Sequence, residues 1–153
     1  MRNRLLVLSV AALATATLGL AGCSSSDSSS TPASSAVQGL AAPVAAPAAP
    51  ERVGAARFAE VVASPGVTII DVRTPEEFAA GHIDGAVNYN VEGPDFATQI
   101  DGLDPAGTYA VYCRSGNRSQ VAVSAMAQAG IPGIYELESG IVGWEEAGQP
   151  VVQ

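Results

Sequence analysis

Tyr109-Ala110-Val111-Tyr112-Cys113-Arg114-Ser115-Gly116-Asn117-Arg118-Ser119 is the stretch on which the fold turns. Tyr109 to Tyr112 form an apolar run with no polar alternate, as a strand buried on both faces requires. From Ser119 to Gln128 the pattern becomes helical, with Val121, Ala125 and Met126 expected on an apolar stripe and Gly130 as the stop. The segment therefore reads strand, loop, helix, with Cys113 at the carboxyl end of the strand. Gly116 and Asn117 are residue types that tolerate positive φ, which a tight loop between these elements demands.

The same alternation continues on either side. Upstream, Ala55–Ala63 carries Phe58, Val61 and Val62 at helical spacing and ends at Pro65-Gly66, and Val67-Thr68-Ile69-Ile70 is a short strand. Thr74-Pro75-Glu76-Glu77 is a helix start, with Thr74 as N-cap, Pro75 at the first helical position and Glu77 closing a capping box. Ala86–Tyr89 reads as a strand and Pro94–Ile100 as a short helix. Downstream, Ile134–Leu137 is a strand and Ile141–Ala147 a last helix. Strands alternating with helices predict an α/β domain with a central parallel sheet and helices on both faces.

In an open parallel sheet, ligands bind beyond the carboxyl ends of the strands. Asp71, Asn88 and Cys113 are predicted there, and Cys113 is the one with reactive chemistry. Its loop can turn successive backbone N–H groups inward around the sulfur at a helix N-terminus. Inward N–H groups, the helix dipole, Arg114 and Arg118 all favour thiolate over thiol. A thiolate so held is a nucleophile, and the same cradle would stabilise a charged sulfur or an oxyanion attached to it.

From Glu51 to Val151 the chain resembles a single rhodanese domain, a sulfurtransferase family that carries sulfur as a cysteine persulfide. Asp71-Val72-Arg73, Glu77-Phe78, Gly81-His82-Ile83 and Gly85-Ala86-Val87-Asn88 correspond to its first signature. Cys113 to Ser119 correspond to its active-site loop. Gly140-Ile141, Trp144 and Ala147-Gly148-Gln149-Pro150-Val151 correspond to its closing signature. Ser139 stands where that signature has a glycine, and Asn90 where a proline is frequent. The resemblance implies Cys113 as catalytic nucleophile, with Arg114, Ser115, Gly116, Asn117, Arg118 and Ser119 binding substrate and persulfide. It also implies a structural His82. Phosphatases and arsenate reductases related to this fold place five residues between cysteine and arginine. Here four separate Cys113 from Arg118, a smaller cradle suited to a sulfane sulfur.

The expected function is transfer of sulfur from thiosulfate or a related small anionic donor to a thiol or cyanide. A persulfide carrier, a redox sensor or binding module using Cys113, and a scaffold with an unused site are the alternatives. Asp71 and Arg73 are expected to tie the strand end to the next helix, with Glu77 as an ion-pair partner. Trp144 is expected to anchor the last helix, and Arg114 to point outward toward a donor.

The first 50 residues have a different character. Residues 1–22 open with Arg2 and Arg4, run through Leu5–Leu20 without a charge and end in small residues, the order of a secretion signal. Leu20-Ala21-Gly22-Cys23 resembles the lipobox of bacterial lipoproteins, which makes Cys23 the expected lipidation site. Ser24–Pro50 is Ser/Ala/Pro-rich and is expected to be a disordered tether. The domain organisation expected is therefore signal (1–22), lipidated cysteine and tether (23–50) and globular domain (51–153). The chain would be exported and lipid-anchored at the extracytoplasmic or periplasmic face of a bacterial membrane. With Cys23 lipidated, Cys113 is the one thiol left.

The formal net charge of the 153-residue chain is −8, with no lysine and 15 carboxylates. Nucleic-acid binding needs a basic footprint and is excluded. His82 is the only histidine and no Cys/His cluster has ligand spacing, so neither a metal nor another cofactor is expected. A monomer is expected.

Overall fold

A computed structural model of the chain describes residues 43–153. The expected signal, the lipidation site Cys23 and the tether up to residue 42 lie outside the described residues. The sheet has five parallel strands, β1 (Glu51–Val53), β2 (Val67–Asp71), β3 (Val87–Asn88), β4 (Thr108–Tyr112) and β5 (Ile134–Leu137). Their order is β1-β5-β4-β2-β3. β4 lies at the centre, and from Tyr109 to Tyr112 every residue is buried, in keeping with its unbroken apolar run.

Helices cover both faces. On one side α3 (Phe96–Asp101) and α4 (Asn117–Gln128) bury Phe96, Ile100, Ala122, Val123 and Met126 against Ile70, Val111 and Ile134. On the other, α1 (Ala55–Val62) and α5 (Gly140–Glu146) bury Phe58, Val61, Ile141 and Trp144 against Ala110, Tyr112 and Leu137. Trp144 packs edge-on against Phe58, with ring centroids 6.0 Å apart, and its indole N–H donates to Pro150 O at 2.8 Å. It is the anchor the sequence suggested, since a buried indole needs both apolar contact and an acceptor. α2 (Pro75–Ala80) opens with the expected capping box, Thr74 Oγ1 accepting from Glu77 N while Glu77 accepts from Thr74 N.

Two local expectations change. Val121 is 63 % exposed. α4 begins at Asn117, and its buried face is Ser119, Ala122, Val123 and Met126, so Val121 falls outside it. Asn117 is the first helical residue of α4, so Gly116 supplies the positive φ, at 87°. β1 escapes the sequence pattern because it is three residues long with only Val53 buried. Ser139, where a glycine is usual, has φ −92°, a conformation open to any residue; Gly140, at φ 61°, makes the turn.

Residues 43–50 form neither helix nor strand. Val44 nevertheless packs against the α1/α5 side of the core, and Ala45 O accepts from the Tyr135 hydroxyl at 2.9 Å.

Candidate active site

The loop after β4 is fixed from both ends. Ile141 N and Val142 N, in the first turn of α5, donate to Cys113 O at 2.9 Å and Arg114 O at 3.2 Å. The two segments are so close that a Cβ on Gly140 would collide with the Arg114 carbonyl group. On the other side Gly116 passes over the end of β5, where a Cβ would collide with Glu138 O. Close backbone approach and positive φ together restrict both positions to glycine.

This packing wraps the loop around the sulfur. Cys113 is buried, at 1 % exposure. Its Sγ accepts from Gly116 N at 3.1 Å and lies 3.4 Å from Ser119 Oγ. Burial alone would push the thiol pKa up. The Ser119 hydroxyl and the backbone N–H groups of Ser119, Ser115 and Gly116 outweigh burial and hold it below its ordinary value. α4 has no side-chain N-cap of its own, and the cysteine sulfur occupies that end of the helix.

The two arginines have different situations. Arg118 is clasped by Glu77, with Nη1 to Oε2 at 2.7 Å and Nη2 to Oε1 at 2.8 Å, and Nη1 also reaches Glu92 at 3.4 Å. It therefore braces α4 against α2, and its guanidinium pKa is raised chiefly by the Glu77 bond. Arg114 is exposed, and no ion pair to it exists among the described residues. Ser115 and Asn117 are also exposed, at the mouth of the loop.

The residues of the first signature form a scaffold beside the loop. Asp71 is wholly buried and accepts from Arg73 N, Nε and Nη2, the shortest bond being 2.6 Å. Arg73 Nη2 also donates to Gly81 O at 2.6 Å, so this pair ties the end of β2 to the end of α2 as expected. Glu77 pairs with Arg118 instead. The carboxylate of Asp71 already supplies the counter-charge of Arg73, and Glu77 pairs with a partner across the site. Asn88 Nδ2 donates to Asp71 O and Arg73 O. His82 stacks on Phe78 with centroids 3.8 Å apart, its Nδ1 lies 3.1 Å from Phe78 O, and its backbone pairs with Val152. These contacts give His82 a scaffold role.

One functional neighbour escaped the sequence reading. Glu136 of β5 is 2 % exposed, yet its Oε1 accepts from Ser119 Oγ at 2.7 Å and its Oε2 from Arg52 Nε at 2.9 Å. The available signal was a lone carboxylate inside a strand expected to be covered on both faces, where a charge needs a partner.

Comparisons with known proteins agree with this geometry. The family model of the rhodanese-like domain matches residues 55–147. An uncharacterized protein of Synechocystis is 37 % identical over 89 residues, covering 57 % of this chain and 48 % of that protein. This chain thus spans about half the length of that relative. A thiosulfate sulfurtransferase of Shewanella oneidensis is 33 % identical over 91 residues, covering 60 % of this chain and 88 % of that enzyme. Among solved structures, a rhodanese-related protein from Thermoplasma volcanium matches with a TM-score of 0.59 and 34 % identity, over 67 % of this chain and 97 % of that one.

Proposed function

The chain belongs to the rhodanese-like domain family, and from that footing we propose that it is a sulfurtransferase working through a Cys113 persulfide. The observation that carries the reading is the Cys113 sulfur in its ring of N–H and hydroxyl groups, with its thiol pKa held down despite burial. In the first half-reaction the thiolate attacks the outer sulfur of thiosulfate. The donor's S–S bond breaks, sulfite leaves with the electron pair, and a persulfide anion remains on Cys113. In the second, cyanide or a thiolate attacks the outer sulfur and the Cys113 thiolate is released. The backbone N–H groups that stabilise the thiolate are placed to stabilise the persulfide as well. Two half-reactions through one covalent intermediate give ping-pong kinetics.

Mass spectrometry of the full chain, incubated with thiosulfate and then cyanide, tests this. One added sulfur on Cys113, removed by cyanide with release of thiocyanate, is the expected result, and Cys113→Ser should show neither step. Persistent turnover in that variant would sink the assignment. A single loading discharged only to a specific protein acceptor would point instead to a carrier. That reading gains support from the Glu77 and Glu92 carboxylates on Arg118, which leave Arg114 as the loop's guanidinium for a small anion.

The Leu20-Ala21-Gly22-Cys23 motif supports a location on the outer face of a bacterial membrane, with acyl chains on Cys23. Metabolic labelling with palmitate should mark the wild type and leave Cys23→Ser unlabelled; equal labelling of both would remove this proposal.

A further inference from the structure

Behind the reactive sulfur lies a continuous chain of groups, of which the persulfide chemistry above uses only the Ser119 hydroxyl. Cys113 Sγ is placed to donate to Ser119 Oγ at 3.4 Å, and Ser119 Oγ donates to Glu136 Oε1 at 2.7 Å. Arg52 Nε holds the second carboxylate oxygen at 2.9 Å. Arg52 is the direct register partner of Glu136 across the β1–β5 pairing, and it also donates to Glu138 O beneath Gly116. On its other flank Glu136 faces Val111 of β4, which offers no polar group. A buried carboxylate is costly unless paired. Here its two oxygens are assigned to two donors, and one of those donors leads to the nucleophile.

We propose that Glu136 accepts the proton of the Cys113 thiol through the Ser119 hydroxyl, with Arg52 fixing the carboxylate for that role. The inference rests on Cys113 being the reacting atom. In the step, the Sγ–H bond breaks as Ser119 Oγ takes that proton, and the hydroxyl passes its own proton to Oε1. The products are a thiolate, an intact serine hydroxyl and a neutral carboxylic acid. No electrons change hands, and the hydroxyl is left donating to the thiolate. Glu136 acts on the thiol through Ser119 and so is a positioning residue for the proton.

Proton affinities on the two ends suit such an exchange. Burial pushes the Glu136 carboxyl above its ordinary pKa, against the opposing effects of the Ser119 bond and the Arg52 charge, while Glu138 pushes in the same direction as burial. The Cys113 thiol is shifted the other way. The two groups approach each other in affinity, the condition for efficient transfer. The charged groups acting on the chain are Arg52 from β1, Glu138 at the end of β5 and Arg118 from α4.

Two interacting sites titrate as a pair. The alkylation rate of Cys113 by iodoacetamide, followed by mass spectrometry on the full chain, should rise with pH in two steps in the wild type. In Glu136→Gln, whose neutral amide stands permanently where the protonated carboxyl would, the two steps should merge into one at lower pH, speeding alkylation between the wild-type steps by about tenfold, the effect of one pKa unit, while the high-pH rate is kept. In a Ser119→Ala background the same glutamine should have no further effect. An unchanged profile, a shift of E136Q toward higher pH, or an equal effect of E136Q with and without Ser119 would overturn the relay. Should E136Q fail to fold, the wild type alone decides. Alkylation of Cys113 should abolish a protonated-carboxyl infrared band, and absence of that band from the unmodified protein would overturn the relay. Thiosulfate loading is scored separately. A relay without persulfide would sink only the sulfurtransferase reading, and a persulfide without the relay only this one.

Discussion

Arg118, in the first turn of α4, is bound by both oxygens of Glu77 in α2, at 2.7 and 2.8 Å across 41 residues of sequence. The pair fastens the helix that begins at the reactive loop to the capping-box helix that follows β2. Glu77 thus serves two ends, closing the cap on Thr74 N and clamping Arg118.

That clamp makes acid stability a readout of the site. The Arg118 guanidinium is the main cause that lowers the Glu77 carboxyl from 4.5 to about 2. A carboxylate with a depressed folded-state pKa contributes stability that is fully present above its unfolded pKa and is lost as pH falls through the folded value. The loss should therefore run from about pH 5 down to pH 2. Because Glu77 is 29 % exposed, solvent screening reduces the contribution to about 1–2 kcal/mol. Melting temperature measured against pH should fall over that window in the wild type more steeply than in Glu77→Gln; parallel curves would show that the pair contributes nothing net.

Gly116→Ala should cost about 2 kcal/mol or more and prevent sulfur loading. The position combines φ of 87° with a Cβ that would collide with the Glu138 carbonyl oxygen. Relief requires the loop to lift, and lifting it removes the Gly116 N–H from the Cys113 sulfur. Chemical denaturation and persulfide mass spectrometry on one sample check both effects, and a stable variant that loads normally would contradict the geometry.

The Asp71–Arg73 pair should respond differently from Arg118–Glu77, because it is buried. With Asp71 wholly buried and the Arg73 side chain 7 % exposed, Asp71→Asn leaves a guanidinium charge without its counter-ion. Removing one partner of such a pair costs about 3–5 kcal/mol. Equilibrium unfolding in urea should show that loss with little change in slope; a cost under about 1 kcal/mol would mean that water or Gly81 O suffices for Arg73.

Legibility in the sequence followed the distance between interacting residues. The cysteine loop and the Thr74 capping box were readable because their partners lie within a few residues of each other: Cys113, Gly116 and Ser119 in one, Thr74 and Glu77 in the other. β4 was readable because burial on both faces leaves an unbroken apolar run. What escaped depends on the assembled sheet. Arg52 meets Glu136 only because β1, too short to show a pattern, pairs beside β5. Arg118 was expected to face substrate, as no local feature reveals that Glu77 and Glu92 converge on it from other elements. Val121 was misplaced by helical phase, which the sheet contact sets and the apolar residues alone do not.

Arg114 carries the last prediction. It is exposed and follows the nucleophile directly, on a chain whose 15 carboxylates against seven arginines repel small anions. Arg118 is already paired with two glutamates, so Arg114 is the charge in the loop left to attract a small anion. Arg114→Ala should raise KM for thiosulfate by about tenfold, or roughly 1.4 kcal/mol of binding, with kcat changed less. Its stability should stay within about 0.5 kcal/mol of the wild type, as for other surface substitutions. Added salt should narrow the difference in KM between the two proteins, because it screens the Arg114 attraction in the wild type alone and the repulsion from the carboxylates in both. Unchanged KM at low salt would mean that the donor is guided by backbone N–H groups alone, or that the natural donor is not a small anion.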